Sequence, residues 1–377
     1  MSLTKEEKNR YSRQIQLNEI GVDGQEKLKK AKVLVIGAGG LGCPVLQYLA
    51  AAGIGAIGVI DFDLVEESNL HRQILFNSSL IGINKAIAAK EQLEKLNPFV
   101  TITAYPKKLD YQNAVSLFKD YDLIIDGTDN FATRYLVNDA SLLAGKPFVY
   151  GAIHRFEGQV AVFNYKNGPT YRCLFPTPPK ANTIPNCSES GVLGVLPGII
   201  GTYQANEALK MILGIGETLS GKLMLINTQN NSTTLIKVDR IDAAIKKQLA
   251  MSISPDNYII DCETTASVRE ITVEELKEKL ASNEAIQFID VRELNELPQI
   301  AELSGLKIPS KQISDSYAKI SKNKTVVIYC QTGKRSKRAV SFLQEELDFN
   351  TLWNLQGGIE SWLNSESNKV NLIKETI

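Results

Sequence analysis

The chain has 377 residues, 44% of them apolar and 22% charged, a composition that excludes intrinsic disorder and a length that exceeds one ordinary core. Lys+Arg and Asp+Glu are equal at 42 each, so no net field favours nucleic acid or an anionic membrane, and neither is expected as a partner. The five cysteines are odd in number and widely spaced, and the opening Met1-Ser-Leu-Thr-Lys-Glu-Glu-Lys holds no apolar signal core; both point to reduced thiols in the cytoplasm and not to a disulfide framework.

Taken in chain order, residues 1–30 read as helical and polar. Val33 to Ile60 carries no charge, long enough to imitate a membrane span, but glycines and Pro44 divide it into strand, tight turn, helix and strand. The pattern predicts strands over Lys32–Ile36 and Ala56–Ile60 with a helix over Cys43–Ala52 between them. Lys85–Leu96 has helical spacing and stops at Asn97-Pro98. Strands follow over Val100–Ala104 and Asp122–Ile125, then a helix over Phe131–Ala144 and strands over Phe148–Tyr150 and Gln159–Phe163. This βαβα order predicts an α/β fold with a doubly wound, mostly parallel sheet. Residues 164–193 have no clear period and are rich in Pro, Asn, Thr and Ser; a loop of that length inside a domain is usually functional. A largely uncharged helix over Val195–Leu213 and strands over Lys222–Asn227 and Thr233–Val238 close a first domain, 1–240. Residues 241–266 read as a linker. Residues 267–377 restart an α/β pattern on a smaller scale, with strands over Ala285–Ile289, Thr325–Tyr329 and Thr351–Asn354 and helices over Glu274–Leu280, Arg335–Leu347 and Ile359–Leu363.

Gly37-Ala-Gly39-Gly40-Leu-Gly42 directly follows the first strand and opens a helix. Glycines there let the backbone approach phosphate, and the helix N-terminus favours negative charge. Asp61 follows nineteen residues after Gly42, at the end of the second strand, where a carboxylate can accept both ribose hydroxyls. This Rossmann-like fingerprint does not separate NAD from ATP. The residues behind it do: Ser68, Asn69 and Arg72 follow the ribose carboxylate, and Lys85 begins the next helix. Hydride transfer has no use for that much positive charge, whereas nucleotidyl transfer must stabilise a leaving pyrophosphate. Asp129, in Asp126-Gly-Thr-Asp129-Asn130, lies at a strand's carboxyl end and can hold Mg2+ through oxygen. An NAD-dependent oxidoreductase of the same fold is the first alternative, but neither His71 nor His154 sits in a recognisable dehydrogenase motif. A non-catalytic sulfur-relay scaffold is the second, and the intact Arg13, Asp61, Arg72, Lys85 and Asp129 argue against it.

Arg10-Tyr-Ser-Arg13-Gln, the glycine loop, Asp61-Phe-Asp, Ser68-Asn-Leu-His-Arg72-Gln, Lys85 and Thr128-Asp129-Asn130, spaced in that order, resemble the ubiquitin-activating-enzyme-like superfamily. Within it the chain is most similar to the bacterial molybdopterin-synthase adenylyltransferase and its thiamine-pathway relatives, over about residues 8–240. The resemblance implies a homodimer that uses ATP and Mg2+. In it Asp61 binds ribose, and Gly39, Gly40, Ser68, Asn69 and Asn130 line the nucleotide. Arg72 and Lys85 contact phosphates, Asp129 binds the metal, and Arg13 reaches the partner subunit's site. The implied substrate is a ubiquitin-like sulfur-carrier protein ending in Gly-Gly, whose carboxylate attacks the α-phosphate.

Family members often hold structural zinc with two Cys-x-x-Cys pairs. Position 170 is Thr170, so Cys173 lacks its neighbour, and residues 239–261 hold no cysteine; zinc is not expected. Cys187, in Ile184-Pro-Asn-Cys187-Ser-Glu-Ser, resembles the superfamily's thioester segment. It is either a nucleophile that takes over the activated carrier or a cysteine that merely occupies the loop. Cys330 ends the strand Val326–Tyr329 and starts Cys330-Gln-Thr-Gly333-Lys-Arg335-Ser336, which opens a helix. Backbone N–H groups at a helix N-terminus, with Lys334 and Arg335, can stabilise a sulfur anion. With Asp290-Val-Arg292-Glu293 upstream and Gly357-Gly358-Ile-Glu-Ser-Trp362 downstream, this segment resembles a rhodanese domain, which implies that Cys330 takes sulfane sulfur from a persulfide donor such as a cysteine desulfurase. The family's Gly-His-Ile is replaced by Leu303-Ser-Gly-Leu-Lys-Ile-Pro309, which leaves the local packing open. The expected product is a carrier thiocarboxylate for molybdopterin or thiamine biosynthesis.

Overall fold

The computed structural model describes residues 2–179, 191–251, 253–254, 258, 268–282, 284–347 and 349–365, and the chain divides into two compact units, Met1–Ile260 and Asp261–Ile377. In the first unit the charge-free runs form the middle of one sheet. Its strands are β1 (Lys32–Ile36), β2 (Ala56–Ile60), β3 (Thr101–Tyr105), β4 (Leu123–Asp126), β5 (Phe148–His154), β6 (Glu157–Phe163), β7 (Lys222–Asn227) and β8 (Ser232–Lys237). They lie in the order β3-β2-β1-β4-β5-β6-β7-β8. The first five strands are parallel, and β6 to β8 add antiparallel neighbours. Central parallel strands are covered on both faces, which is why β1, β2 and β4 are buried at consecutive positions and do not alternate, whereas the edge strand β3 exposes Thr101 and Thr103. Within β1, Val33 and Val35 join one core, while Leu34 and Ile36 join another on the opposite face.

The first core is built largely by the helices Gly42–Ala52, Lys85–Leu96 and Val195–Leu213, the second by Ala114–Lys119 and Phe131–Ala144. The uncharged helix Val195–Leu213 is thus a buried core helix; no helix among the described residues is long and apolar enough to cross a membrane. The helix Asp242–Ala250 lies in the stretch expected as a linker. Its Ile245 and Gln248 are buried, and Gln248 accepts a hydrogen bond from Asn138 at 3.0 Å, so this helix is attached to the first unit.

The second unit is a parallel five-stranded sheet ordered β11-β10-β12-β13-β9: β9 (Glu270–Ile271), β10 (Ile286–Asp290), β11 (Leu306–Lys307), β12 (Thr325–Tyr329) and β13 (Leu352–Leu355). The two-residue strands β9 and β11 are too short to carry a periodicity and were not expected. The segment in place of Gly-His-Ile, whose packing the sequence leaves open, is packed into the unit. Leu303 and Ile308 are buried, Tyr329 donates its hydroxyl to the Leu303 carbonyl at 2.9 Å, and a Cβ on Gly305 would meet the Phe288 carbonyl oxygen at 2.2 Å.

One contact of the first unit has no room for a side chain. Gly37 has φ +86°, and a Cβ on Gly42 would lie 1.9 Å from the Gly37 carbonyl oxygen. The Gly42→Ala variant is therefore expected to lose about 1–3 kcal/mol of stability through overpacking, read from its urea midpoint; an unshifted midpoint would show that the turn relaxes freely.

Candidate functional site

The turns after β1, β2 and β4 open at the carboxyl ends of the strands, where the order passes from β1 outward to β2 on one side and to β4 on the other, the switch point at which ligands bind in doubly wound sheets. A cavity of about 660 Å3 lies there. Gly39, Gly40, Asp61, Ser68, Asn69, Arg72, Lys85, Asp129 and Asn130 all line it. Arg13 does not: it is exposed in the short helix Ser12–Ile15, with Nη1 3.5 Å from Gln16 Oε1.

Each lining residue is held by its own element. Asp61 continues from β2; one carboxylate oxygen accepts the Ala38 N–H at 2.7 Å and the other the Asp63 N–H at 2.9 Å. Burial pushes this carboxyl up, against the opposing pull of those two N–H groups and of Lys85. The helix Lys85–Leu96 starts beside it because Asn84 caps the Ala86 and Ile87 amides and donates its side-chain amide to the carbonyls of Asp61 and Asp63. Lys85, only 6% exposed, holds Asp63 at 3.1 Å. The loop Ser68–Gln73 is organised by the buried Asn69, whose Oδ1 accepts from Arg72 Nη2 at 3.2 Å and Gln73 Nε2 at 2.9 Å. Arg72 also donates to the Ser68 carbonyl at 3.1 Å. Asn130 caps the helix Phe131–Ala144, its Oδ1 accepting from Thr133 N–H at 2.9 Å, and Asp129 stands exposed just before it.

Several lining residues were not anticipated from the sequence, among them Phe62, Gln73, Lys107, Lys108 and Arg134. Arg134 was findable: it lies four residues after the cap Asn130, one helical turn deeper on the same face. Lys107 and Lys108 follow β3, the edge strand, and add a fourth strand end to the cavity. His71 also lines the cavity, with Nδ1 3.1 Å from the Ser68 carbonyl, whereas His154 is exposed at the end of β5.

The cavity suits a nucleoside triphosphate. Its glycine turn leaves backbone room, Asp61 presents a buried carboxylate, and Arg72 and Lys85 supply positive charge. Among the described residues no group of three or more His, Cys, Asp or Glu could hold a metal. A Mg2+ ion fits this wall only as Mg2+ usually binds beside nucleotides, through one carboxylate, here Asp129, and substrate phosphates.

The second unit presents Cys330 at the end of β12. It is 1% exposed, and its Sγ accepts from the Ser336 hydroxyl at 3.4 Å. Gly333 has φ +82°, and a Cβ on Gly358 would meet the Cys330 carbonyl oxygen at 2.3 Å, so the two glycine turns close directly over the loop. Arg335 interacts with the Cys330 sulfur and makes a forked pair with Glu296, at 2.5 and 2.7 Å. That pair holds the Glu296 carboxyl below the usual range and the guanidinium above its own. Behind it, Arg292 forks onto Asp290 with both groups buried. Cys187 and Cys262 lie outside the described residues.

At Cys173 the donor set does not fit zinc. Its Sγ accepts from Thr170 N–H and Ile241 N–H, each at 3.4 Å. Around it Arg172 forks onto Asp139 at 2.8 and 2.7 Å, and Tyr258 donates to Asp139 at 3.1 Å. Asn138 bonds the Tyr171 amide at 2.8 Å and Gln248 at 3.0 Å. Hydrogen bonds thus tie together the segments that a pair of thiolate hooks would join.

A glycine turn at the switch point of a doubly wound sheet, beside a cavity lined by Arg72, Lys85, Lys107, Lys108 and Arg134, is the architecture of a nucleotide-binding domain; the glycine-wrapped cysteine loop is that of a sulfur-handling one. The chain belongs to the ThiF family, whose model matches residues 11–246, and carries a rhodanese-like domain matched at residues 272–365. It is 43% identical over 371 residues to the probable adenylyltransferase/sulfurtransferase MoeZ of Mycobacterium tuberculosis, covering 96% of this chain and 94% of that one. It is 39% identical to the adenylyltransferase and sulfurtransferase MOCS3 of Xenopus laevis, covering 94% and 85%. It is 52% identical over 245 residues to the sulfur carrier protein adenylyltransferase of Thermus thermophilus, covering 64% of this chain and 90% of the relative. Among solved structures, E. coli MccB with ATP is similar at a TM-score of 0.53 and 26% identity, over 62% of this chain and 72% of that one.

Removing Asp139 would strand a buried guanidinium. Asp139→Ala is expected to cost about 3–5 kcal/mol, while a chelator leaves the denaturation midpoint of the unaltered protein unchanged. A chelator-induced fall in that midpoint would show that a metal, not this network, holds the site.

Proposed function

We propose that the first unit adenylates the C-terminal glycine of a ubiquitin-like sulfur-carrier protein and that the second supplies the sulfur that turns the product into a thiocarboxylate. The observation that carries this reading is the convergence of the glycine turn, Asp61, Arg72, Lys85 and Asp129 on one cavity, in a chain that also buries a cysteine inside a rhodanese-type loop. The ThiF family match implies ATP use. Two of the relatives named above, MoeZ and MOCS3, carry both activities in their names and support the pairing.

In this reading the Asp61 carboxylate takes the ribose hydroxyls, and Gly39, Gly40 and the helix start at Gly42 face the phosphates. Ser68, Asn69 and Asn130 shape the nucleotide wall. A carrier carboxylate oxygen attacks the α-phosphorus, the bond to the bridging oxygen breaks, and pyrophosphate leaves with the electron pair. Arg72 and Lys85 stabilise the charge that gathers on it. Asp129 would hold Mg2+, which neutralises phosphate oxygens. Arg13, exposed and away from the cavity, serves the site of a second copy in a homodimer. The terminal sulfur of a Cys330 persulfide, loaded by a donor such as a cysteine desulfurase, then attacks the acyl carbon and AMP departs. A thiol, Cys187 or an external one, reduces the resulting acyl disulfide and frees the thiocarboxylate. Residues 1–260 make up the adenylating domain and 261–377 the sulfurtransferase domain. The work proceeds in the cytoplasm, for molybdopterin or thiamine biosynthesis.

Carrier-dependent exchange of labelled pyrophosphate into ATP is expected, abolished by Asp129→Ala and reduced ~10–100-fold by Arg72→Ala. Cys330→Ala should keep exchange and lose thiocarboxylate, read as the mass shift of the carrier after one turnover. Exchange without carrier would point to a small acid as substrate, and normal thiocarboxylate from Cys330→Ala would sink the relay. A mixture of Arg13→Ala and Asp129→Ala chains, each inactive alone, should regain part of the exchange through mixed dimers; no recovery once subunit exchange is demonstrated would remove Arg13 from the partner's site.

A further inference from the structure

Asp129 is exposed, so its own side chain does not explain how it keeps a fixed place at the cavity wall. The residue before it does. Asp126, at the end of β4 and fully buried, accepts both the Thr128 N–H at 3.0 Å and the Thr128 hydroxyl at 2.6 Å on one carboxylate oxygen. Arg134, 6% exposed on the helix that Asn130 caps, donates Nη2 to the Thr128 carbonyl at 3.1 Å. Its guanidinium carbon lies 5.5 Å from the Phe131 ring centre and 5.6 Å from that of Tyr150, so it is held by aromatic faces as well as by hydrogen bonds. Every polar group of Thr128 is therefore held by a buried ionisable side chain, and the nearby Arg134 guanidinium pulls the Asp126 carboxyl down against the larger upward push of burial.

Such an arrangement is costly for a turn that any Asx residue could close. The second Asp126 oxygen is buried without a hydrogen-bond partner among the described residues, and burial pushes this carboxyl up. A buried charge kept under these terms is worth its cost where it fixes geometry.

We infer that Asp126 and Arg134 are positioning residues for adenylation, a charged clamp on the Thr128 peptide that keeps the Asp129 carboxylate aimed into the nucleotide cavity. The inference rests on the proposed adenylation reading. The clamp acts through Asp129, so its loss weakens the use of the metal–nucleotide pair more than the nucleotide contacts of Asp61 or the glycine turn. Arg134→Gln keeps a donor for the Thr128 carbonyl and removes the charge; Asp126→Asn keeps an acceptor and removes the opposite charge.

Two measurements on the full chain test this. Pyrophosphate exchange is followed against Mg2+ concentration, and binding of Mn2+ in the presence of ATP is followed by electron paramagnetic resonance. Each variant is expected to lose ~10–100-fold of the exchange at low Mg2+, to recover partly at high Mg2+, and to bind Mn2+ with ATP more weakly. The double variant should fall no further than the worse single one, because both act on one peptide. Thr128→Val, which keeps the backbone grip and loses only the hydroxyl, should show a smaller defect of the same Mg2+ dependence and serves if either charge variant fails to fold. Unchanged exchange and unchanged Mn2+ binding overturn the inference, as does a loss equal at every Mg2+ concentration. If the unaltered chain shows no exchange yet its Mn2+ binding falls in the variants, the clamp stands and the adenylation reading falls.

Discussion

The first unit depends on a backbone-to-backbone contact that side chains would prevent. The turn after β1 and the turn after β4 touch through Gly37, Gly42 and Gly127; a Cβ on Gly127 would lie 3.0 Å from the Ile36 carbonyl oxygen and 3.1 Å from that of Gly37. Because β1 and β4 are neighbours at the point where the strand order reverses, this contact sets the glycine loop against the Thr128–Asn130 turn. The phosphate-facing backbone and the proposed metal carboxylate thereby share one wall. Asp61 joins the same wall through the Ala38 N–H, Asn84 ties Asp61 and Asp63 to the start of the helix Lys85–Leu96, and Asn69 braces the Ser68–Gln73 loop from within by accepting from Arg72 and Gln73.

The two units solve opposite electrostatic problems. The cavity of the first must accept a multiply charged ligand, so its cations are spread around an open space, and Arg72 remains partly exposed. The second must keep one sulfur atom reactive yet out of water. It encloses Cys330 in glycine turns and brings up a single arginine, whose own charge is fixed by the fork to Glu296. A forked pair costs less ordering per hydrogen bond than a lysine contact would, so Arg335 can face the sulfur without wandering to solvent.

Much of this was legible in the sequence because it rests on local signals. The helix Phe131–Ala144 is bounded by an Asn cap and a left-handed Gly145, and β1, β2 and β12 are unbroken apolar runs between turn residues. The nine residues singled out gather in one cavity, and Gly39, Gly40, Asp61, Lys85, Asp129 and Asn130 do so because they stand at strand ends or helix starts, positions that a sequence pattern marks. What escaped notice depends on tertiary contact. Arg134 looks like an ordinary helix surface residue until Phe131, Tyr150 and Asp126 surround it. The helix Asp242–Ala250 has little in its composition to distinguish it from a connector; its attachment comes from Gln248 meeting Asn138, more than a hundred residues earlier. The replacement of Gly-His-Ile leaves the packing open in one dimension; in the fold Leu303 and Ile308 enter the two separate cores of the second unit and Gly305 supplies the close approach.

That attached helix also bears on how one chain can serve two chemical steps. Tethering raises the effective concentration of one group at another only if the chain between them can span the gap. The first unit does not release the chain at residue 240: Tyr258 still bonds Asp139, and Ile253 and Tyr258 pack on its second core. Val268 already packs on the core of the second unit. The stretch from residue 258 to residue 268 is ten peptide steps, which full extension limits to about 33–36 Å. Under the proposed relay, the covalent reach from the first unit to the second is therefore bounded by where the Asp139 network anchors Tyr258. The buried Arg172–Asp139 pair, which lies in neither the cavity nor the Cys330 loop, thereby bears on both steps through the contact it makes with Tyr258.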